Sequence, residues 1–412
     1  MGWIWCVWVF VCSGFYALAL HPEVYLNMEQ RVKRHGYPLE IHPVTTEDGY
    51  ILNMYRIPHG LKKSENEPTN KSAILLVHSS GGSPANFVTL GKKYSAAYYF
   101  ADRGFDVWLF CSRGTECQNP RKHIKWDWNN DPEYWNWSFH EVGLYDLPAS
   151  IDHILNVTQQ KKIFHVGYSS GGPQLYALIS EKPEYNEKIK LNVNYAAAVL
   201  LKEVDYPFLQ VLCQLSNLFK NLYGAMGVTE LTPPVFYSVL SDLVRKMCAD
   251  PKWFRLCKVA LSSFGSNLST LMEDDIVELA TSVFPRLSVK QATHYMDNVN
   301  RGDFRKYDYG KQTNLAVYGR AVPPRYNLTA TTVPNAFFYG ATDSLSVPED
   351  NQELIGILSN VIYEEELGPS FVHLDFIFAK NASHMLYKPT VKLFKDFDAG
   401  RIPPKIVKRS KQ

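Results

Sequence analysis

This sequence has little net charge, no metal-binding cysteine spacing and, beyond its start, no long apolar run. Its 43 Lys and Arg stand against 41 Asp and Glu, a formal net charge of +2. No block of like charge runs through the body, which argues against a nucleic-acid partner. The one short basic cluster (Lys405, Lys408, Arg409, Lys411) reads as a solvated terminus. No apolar run of about 18 residues follows position 20, and mean hydropathy is −0.22, so a polytopic membrane protein is excluded. No C-x-x-C pair is present, so a metal site through cysteine is not expected. No Walker Lys-Ser/Thr follows the Gly-rich loop at 78–82 and no G-x-G-x-x-G occurs, which argues against nucleotide binding. Repeats and Pro- or Ser-rich linkers are missing too. What remains is globular: 46% hydrophobic and 20% charged residues. A length of 412 residues suits two or three domains, or one large α/β domain carrying an insertion.

The first twenty residues, MGWIWCVWVFVCSGFYALAL, are uncharged and end in Ala17-Leu18-Ala19, a small-x-small pattern. They read as a signal peptide over 1–19, which places the mature protein outside the cytosol. No KDEL-type tail or CaaX box is present. Secretion gives weight to six N-x-S/T sequons, at Asn70, Asn136, Asn156, Asn267, Asn327 and Asn381, expected to carry glycans. Cys6 and Cys12 leave with the signal, so Cys111, Cys117, Cys213, Cys248 and Cys257 remain, and an odd count leaves at least one free thiol. Cys248 and Cys257 would close a short loop, and Cys111 and Cys117 could close another.

Along the chain, LEIHPVTTEDGYILNMYRIPH from Leu39 alternates around Asp48-Gly49 and predicts a hairpin. Continuous apolar runs predict buried parallel strands at 72–78, 105–110, 162–168 and 194–201, with a helix over 146–156. Strand signals return at 333–340 and 361–367. Strands alternating with helices imply a mostly parallel sheet. From 204 to 326 the pattern turns helical, which predicts one α/β core in two parts, 20–203 and 327–412, interrupted by a helical insertion. In that insertion Phe208, Leu209, Leu212, Leu215, Phe219, Leu222 and Met226 recur at roughly helical spacing. They read mainly as a cap helix packed face-down on the core. The alternative is a lid whose apolar face meets an acyl chain or a lipid surface.

Gly167-Tyr168-Ser169-Ser170-Gly171 is G-x-S-x-G, preceded by a predicted buried strand and followed by a helical pattern. In that context the serine sits on a strained strand-to-helix turn, with its hydroxyl exposed above the sheet. A serine nucleophile needs a base, and the base an orienting acid, in the chain order Ser, Asp/Glu, His. Three histidines follow Ser169: His294, His373 and His384. His294 lies in the insertion. His373 follows the last strand after a short loop and is preferred as base over His384. Asp343, just past the strand ending at Gly340, is the preferred acid, with Asp350 the runner-up. The backbone amides of Ser80, after the first buried strand, and Ser170 are the expected oxyanion donors.

Phe105–Arg113 (FDVWLFCSR), Arg121-Lys122-His123, Tyr145–Ile151 (YDLPASI), the Ser169 elbow, His373–Phe376 (HLDF) and Thr45–Gly60 together resemble the acid lipase family over almost the whole mature chain. The resemblance implies an α/β-hydrolase core with a helical cap and lid, no cofactor, and hydrolysis of neutral-lipid esters. By position it implies Ser169, Asp343 and His373 as the triad and Ser80 and Ser170 as oxyanion donors. It also puts Cys248 and Cys257 where the family has a cap disulfide. The sequence departs from the family in two places. Ser79-Ser80 stands where His is usually followed by Gly and an aliphatic residue, and Tyr168 and Ser170 replace the His and Gln of G-H-S-Q-G. The competing readings are a carboxylesterase for soluble short-chain esters and a non-catalytic lipid-binding protein. Both secretion and a lysosomal address fit, with a lipid ester at an oil–water or membrane interface as partner.

Overall fold

A computed structural model describes residues 26–62, 71–115, 122–231, 286–401 and 405–409, with a few positions between 243 and 259. The signal-peptide expectation over 1–19, the sequons at Asn70 and Asn267, and Cys117 lie outside the described residues.

The frame is one sheet whose order is β1-β2-β4-β3-β6-β7-β8-β9-β10. β1 (Glu40–Thr45) and β2 (Tyr50–Ile57) form the hairpin, joined through a turn in which the Thr46 amide donates to the Tyr50 carbonyl at 2.8 Å. β2 runs antiparallel to β4 (Asp106–Leu109) and to the two-residue β5 (Lys122–His123). β3 (Ala73–Val77), β6 (Ile163–Tyr168), β7 (Ile189–Tyr195), β8 (Asn335–Gly340), β9 (Val361–Leu367) and β10 (Ile406–Lys408) continue the sheet in parallel. β3, β4, β6 and β8 are buried along their full length, as strands covered on both faces must be.

One strand differs from the sequence expectation. The apolar run 194–201 leaves the sheet after Tyr195, and the strand is 189–195 instead. Its pattern, IKLNVNY, is broken by Asn192 and Asn194. Both are fully buried, because Asn192 donates to Asn335 at 2.8 Å and Tyr176 donates to Asn194 and Asn335. Buried amides that satisfy one another across strands can stand where the apolar rule predicts hydrocarbon.

Helices cover the faces. α1 (Met28–Arg34), α2 (Ala96–Ala101) and α10 (Lys388–Asp398) bury Val32, Phe100 and Phe394 in one cluster with Phe164 and Val166. α3 (Leu147–Thr158) and α4 (Gly171–Glu181) bury Leu147, Ile151, Leu175 and Leu178 on the other side. Between β7 and β8 the chain forms α5 (Pro207–Gln214), α6 (Ser216–Ala225), α7 (Val289–Arg301) and α8 (Lys311–Tyr318). α9 (Pro348–Ile357) links β8 to β9.

The apolar residues of α5 and α6 do not all pack inward. Leu209, Leu212 and Phe219 are half-buried, whereas Leu215, Leu222 and Met226 are exposed, and the side chain of Phe208 lies outside the described residues. The contact with α7 is polar instead. Ser216 and Lys220 reach Asp297 at 2.7 and 2.5 Å, and Asn300 donates to the Cys213 carbonyl at 2.6 Å. That leaves Val211, Leu215, Leu218, Leu222 and Met226 as a stripe facing solvent, four of them more than half exposed. Cys248 and Cys257 are joined as a disulfide. Cys111 is disulfide-bonded, and Cys213 is a buried free thiol.

Candidate active site

β6 delivers Ser169 to the top of the sheet, and α4 leaves from it. Ser169 takes φ = 53°, the left-handed region that a residue with a Cβ adopts only under constraint. The constraint is visible. The Ser169 amide donates to the Tyr195 carbonyl at 2.9 Å, and its own carbonyl accepts from Ala198 at 3.2 Å. The flanking glycines allow strand and helix to close: a Cβ on Gly167 would sit 2.8 Å from the Gly171 carbonyl carbon, and one on Gly171 would sit 3.0 Å from the Val77 carbonyl oxygen.

Asp343 lies three residues past β8 and is fully buried. Its Oδ1 accepts from the Leu345 and Ser346 amides at 2.9 and 3.0 Å, which aims Oδ2 at His373 Nδ1, 2.9 Å away. Burial alone would raise its carboxyl, but His373 and the two amides outweigh it and hold the group below the usual carboxylate range. An ionised Asp343 fixes the tautomer: Nδ1 of His373 carries the proton, and Nε2 is left as an acceptor. That nitrogen lies 2.9 Å from Ser169 Oγ. Ser169, His373 and Asp343 therefore form one unbroken hydrogen-bond chain, assembled from the ends of β6, β8 and β9.

Two groups not foreseen from sequence hold the histidine. The buried Tyr168 hydroxyl donates to the His373 carbonyl at 2.9 Å. Asp375 accepts from the Val372 amide at 2.8 Å and closes the turn around His373, which gives the HLDF motif a local structural role. Gly340 lets the two loops approach, since a Cβ there would run into the Phe371 carbonyl.

The rejected candidates have other duties. His294 is fully buried on α7, hydrogen-bonded through Nδ1 to Ser138 at 2.9 Å and through Nε2 to the Arg305 carbonyl at 2.7 Å. Burial pushes its imidazole down to about 3, so it stays neutral as a packing group. His384 lies in the turn Ser383–Tyr387 that leads into α10. Asp350 opens α9 and accepts from the Glu203 amide at 3.2 Å, and burial pushes its carboxyl up to about 6.

The loop after β3 is built to present backbone. The Gly82 amide donates to the Ser79 carbonyl at 2.9 Å, which closes a turn over Ser80 and Gly81. His78 Nδ1 bonds the Ser79 carbonyl at 2.8 Å, and burial keeps that ring neutral by pushing it down to about 4. Asn86 accepts from the Ser83 amide at 2.9 Å and fixes the loop's far end. Ser80 also meets a residue that sequence reasoning missed: Gln291 of α7 donates from Nε2 to Ser80 Oγ at 2.9 Å. On the elbow side, Gln174 approaches Ser170 Oγ at 3.3 Å. Among the described residues no cluster of three His, Cys, Asp or Glu could hold a metal ion, and no helix is long and apolar enough to cross a membrane. Asn136, Asn156, Asn327 and Asn381 are all exposed.

Known proteins resemble this chain over most of its length. Residues 28–91 match the family described as a partial alpha/beta-hydrolase lipase region. Over 378 residues the chain is 35% identical to gastric triacylglycerol lipase of Bos taurus, covering 91% of this chain and 93% of that one. It is 32% identical to lipase member M of Homo sapiens over 382 residues, covering 91% and 87% of the two chains. With lipase member K of Homo sapiens it shares 31% over 379 residues, 92% of each. The chain belongs to the acid lipase family. It is a lipase, a carboxylic ester hydrolase, on an α/β-hydrolase core. In this acid lipase the departures at Ser79-Ser80, Tyr168 and Ser170 fall on the neighbours of Ser169 or in the loop after β3, and three of the four side chains take part in the hydrogen bonds described above.

Proposed function

We propose that the chain hydrolyses neutral-lipid esters by transferring the acyl group first to Ser169 and then to water. The observation that carries the reading is the Ser169–His373–Asp343 chain, with 2.9 Å at each step. His373 Nε2 takes the hydroxyl proton as Ser169 Oγ attacks the ester carbonyl. Asp343 keeps the ring oriented and stabilises its protonated form. The amides of Ser80 and Ser170 receive the oxyanion; one such donor is typically worth about 2.7–4 kcal/mol of transition-state stabilisation. His373 returns the proton to the departing alcohol. Water then attacks the acyl-enzyme by the same route and releases a fatty acid.

Residues 204–326 act in this reading as a cap between the core segments 20–203 and 327–412. The outward stripe on α5 and α6 is the part that meets a lipid surface. An exposed apolar row at helical spacing costs solubility unless it has such a partner. The chain works outside the cytosol, secreted or lysosomal, which the four exposed sequons support.

The test compares the wild type with Ser169→Ala on emulsified long-chain triacylglycerol and on a soluble short-chain ester, from pH 4 to 8. The wild type should cleave both and the variant neither. Cleavage of the soluble ester alone would make the chain a carboxylesterase. No cleavage of either would favour a binding role.

A further inference from the structure

We propose that Gln291 is a positioning residue for the oxyanion hole, acting through the Ser80 hydroxyl. The proposal rests on the reading of Ser80 as an oxyanion donor given above. Ser80 sits at the free crest of a tight turn, where its amide orientation depends on what holds the crest. The only side-chain hydrogen bond to it among the described residues comes from Gln291, at 2.9 Å.

Gln291 itself is firmly fixed. It lies in the first turn of α7, and its amide donates to the Ser288 capping hydroxyl at 2.8 Å. Around it α7 is bolted to the core. Ser288 donates to the Trp137 carbonyl, Lys290 pairs with Glu141 at 2.6 Å, and His294 bonds Ser138 at 2.9 Å. The end of α7 that touches Ser80 therefore behaves as part of the core wall, unlike the outward stripe of α5 and α6.

Burial sharpens the inference. Gln291 is 2% exposed, and its Oε1 has no hydrogen-bond partner among the described residues. A polar side chain that leaves an acceptor unsatisfied is a poor choice for packing alone, where an apolar residue of similar volume serves better. The donor end is the part that is used, and it is used on Ser80. One turn further on, the buried Tyr295 hydroxyl lies beside Ser170 without closing a full hydrogen bond. Both serines that carry the candidate oxyanion amides are thus adjoined by one face of one helix. The amides do the chemistry, and α7 sets where the first of them points.

The test is a double-mutant cycle on a soluble ester such as p-nitrophenyl butyrate. Gln291→Met keeps side-chain volume and removes the donor. Ser80→Ala keeps the amide and removes the hydroxyl. Each should lower kcat about 10- to 100-fold, the scale of sub-ångström to ångström misplacement, with KM within about twofold. The double variant should be no worse than the worse single one, because both remove the same bond. Additive losses, or a Gln291→Met enzyme that loses thermal stability but keeps kcat, would overturn the proposal. Should Gln291→Met fail to fold, Ser80→Ala decides alone: an unchanged kcat refutes the route through Ser80. Failure of the functional reading looks different: the wild type would then cleave no ester, or Ser169→Ala would cleave it as fast as the wild type.

Discussion

Tyr168→Phe removes a single oxygen and tests how His373 is held. That oxygen donates to the His373 carbonyl at 2.9 Å, and the ring centroids of Tyr168 and His373 are 5.5 Å apart. Both residues are buried, so water does not readily replace the lost donor. A buried acceptor left unpaired costs about 1–3 kcal/mol. The molecule can meet that cost in two ways. The His373 loop can stay where it is, and the whole amount appears as lost stability. Alternatively the loop relaxes toward another donor, and the amount appears as a misplaced Nε2. In the second case 1–3 kcal/mol corresponds to about a 5- to 150-fold fall in kcat. KM should hardly change, because Tyr168 grips the base through its backbone and not the bound ester. The assay is kcat and KM on a soluble ester, with thermal unfolding of the same preparation. A variant with both wild-type kcat and wild-type melting temperature would refute the reasoning, since the energy must appear in one or the other.

Other perturbations follow the same logic. Asp343→Asn should keep the fold, because the Leu345 and Ser346 amides still find an acceptor, yet lower kcat by about 10⁴ as the wrong tautomer of His373 faces Ser169, which steady-state kinetics would detect. Glu141 is half-buried, and its desolvation would raise the carboxyl, but Lys290, His140 and the Ser138 amide hold it down at about 2 against an ordinary 4.5. Its folded value lies below the unfolded one, so the pair stabilises above about pH 4.5 and loses that contribution as pH falls toward 2. Lys290→Met should therefore cost stability near pH 6 and much less near pH 2.5 in chemical denaturation; a penalty independent of pH would contradict this. Gly340→Ala should prevent folding or lower stability by several kcal/mol in chemical denaturation, since the added methyl meets backbone and not a movable side chain. Leu218→Asp with Leu222→Asp should spare turnover of a soluble ester while lowering activity on an emulsion at least tenfold; equal losses on both would remove the stripe from lipid contact.

The features legible in the sequence are those that obey local rules. Ser169 announced itself by a buried strand, a glycine on each side and a helix after it. Asp343 and His373 followed from chain order and from strand ends at Gly340 and Leu367. What the sequence hides depends on partners far along the chain. β7 departs from the apolar rule because Asn192 and Asn194 look like loop residues until Tyr176 and Asn335 are brought beside them. The α5–α6 stripe looks like a core face, but the inward contact is made by Ser216 and Lys220 on Asp297. Gln291 reads as an ordinary polar position of an amphipathic helix, and only the approach of α7 to the Ser79–Gly82 turn gives it a task. Tyr168 stands in view within the elbow motif, yet its partner is 205 residues away.

The pairing of β7 with β8 bears on how the enzyme is made. The Asn192–Asn335 contact spans 143 residues, and Ser169 meets His373 across 204. During synthesis the elbow strand leaves the ribosome well before β8 and β9 exist, so the half-sheet ending at β7 must wait with one edge open. The Ser169–His373–Asp343 chain is complete only once nearly the whole chain has emerged, so a nascent or truncated chain ending before β9 lacks it.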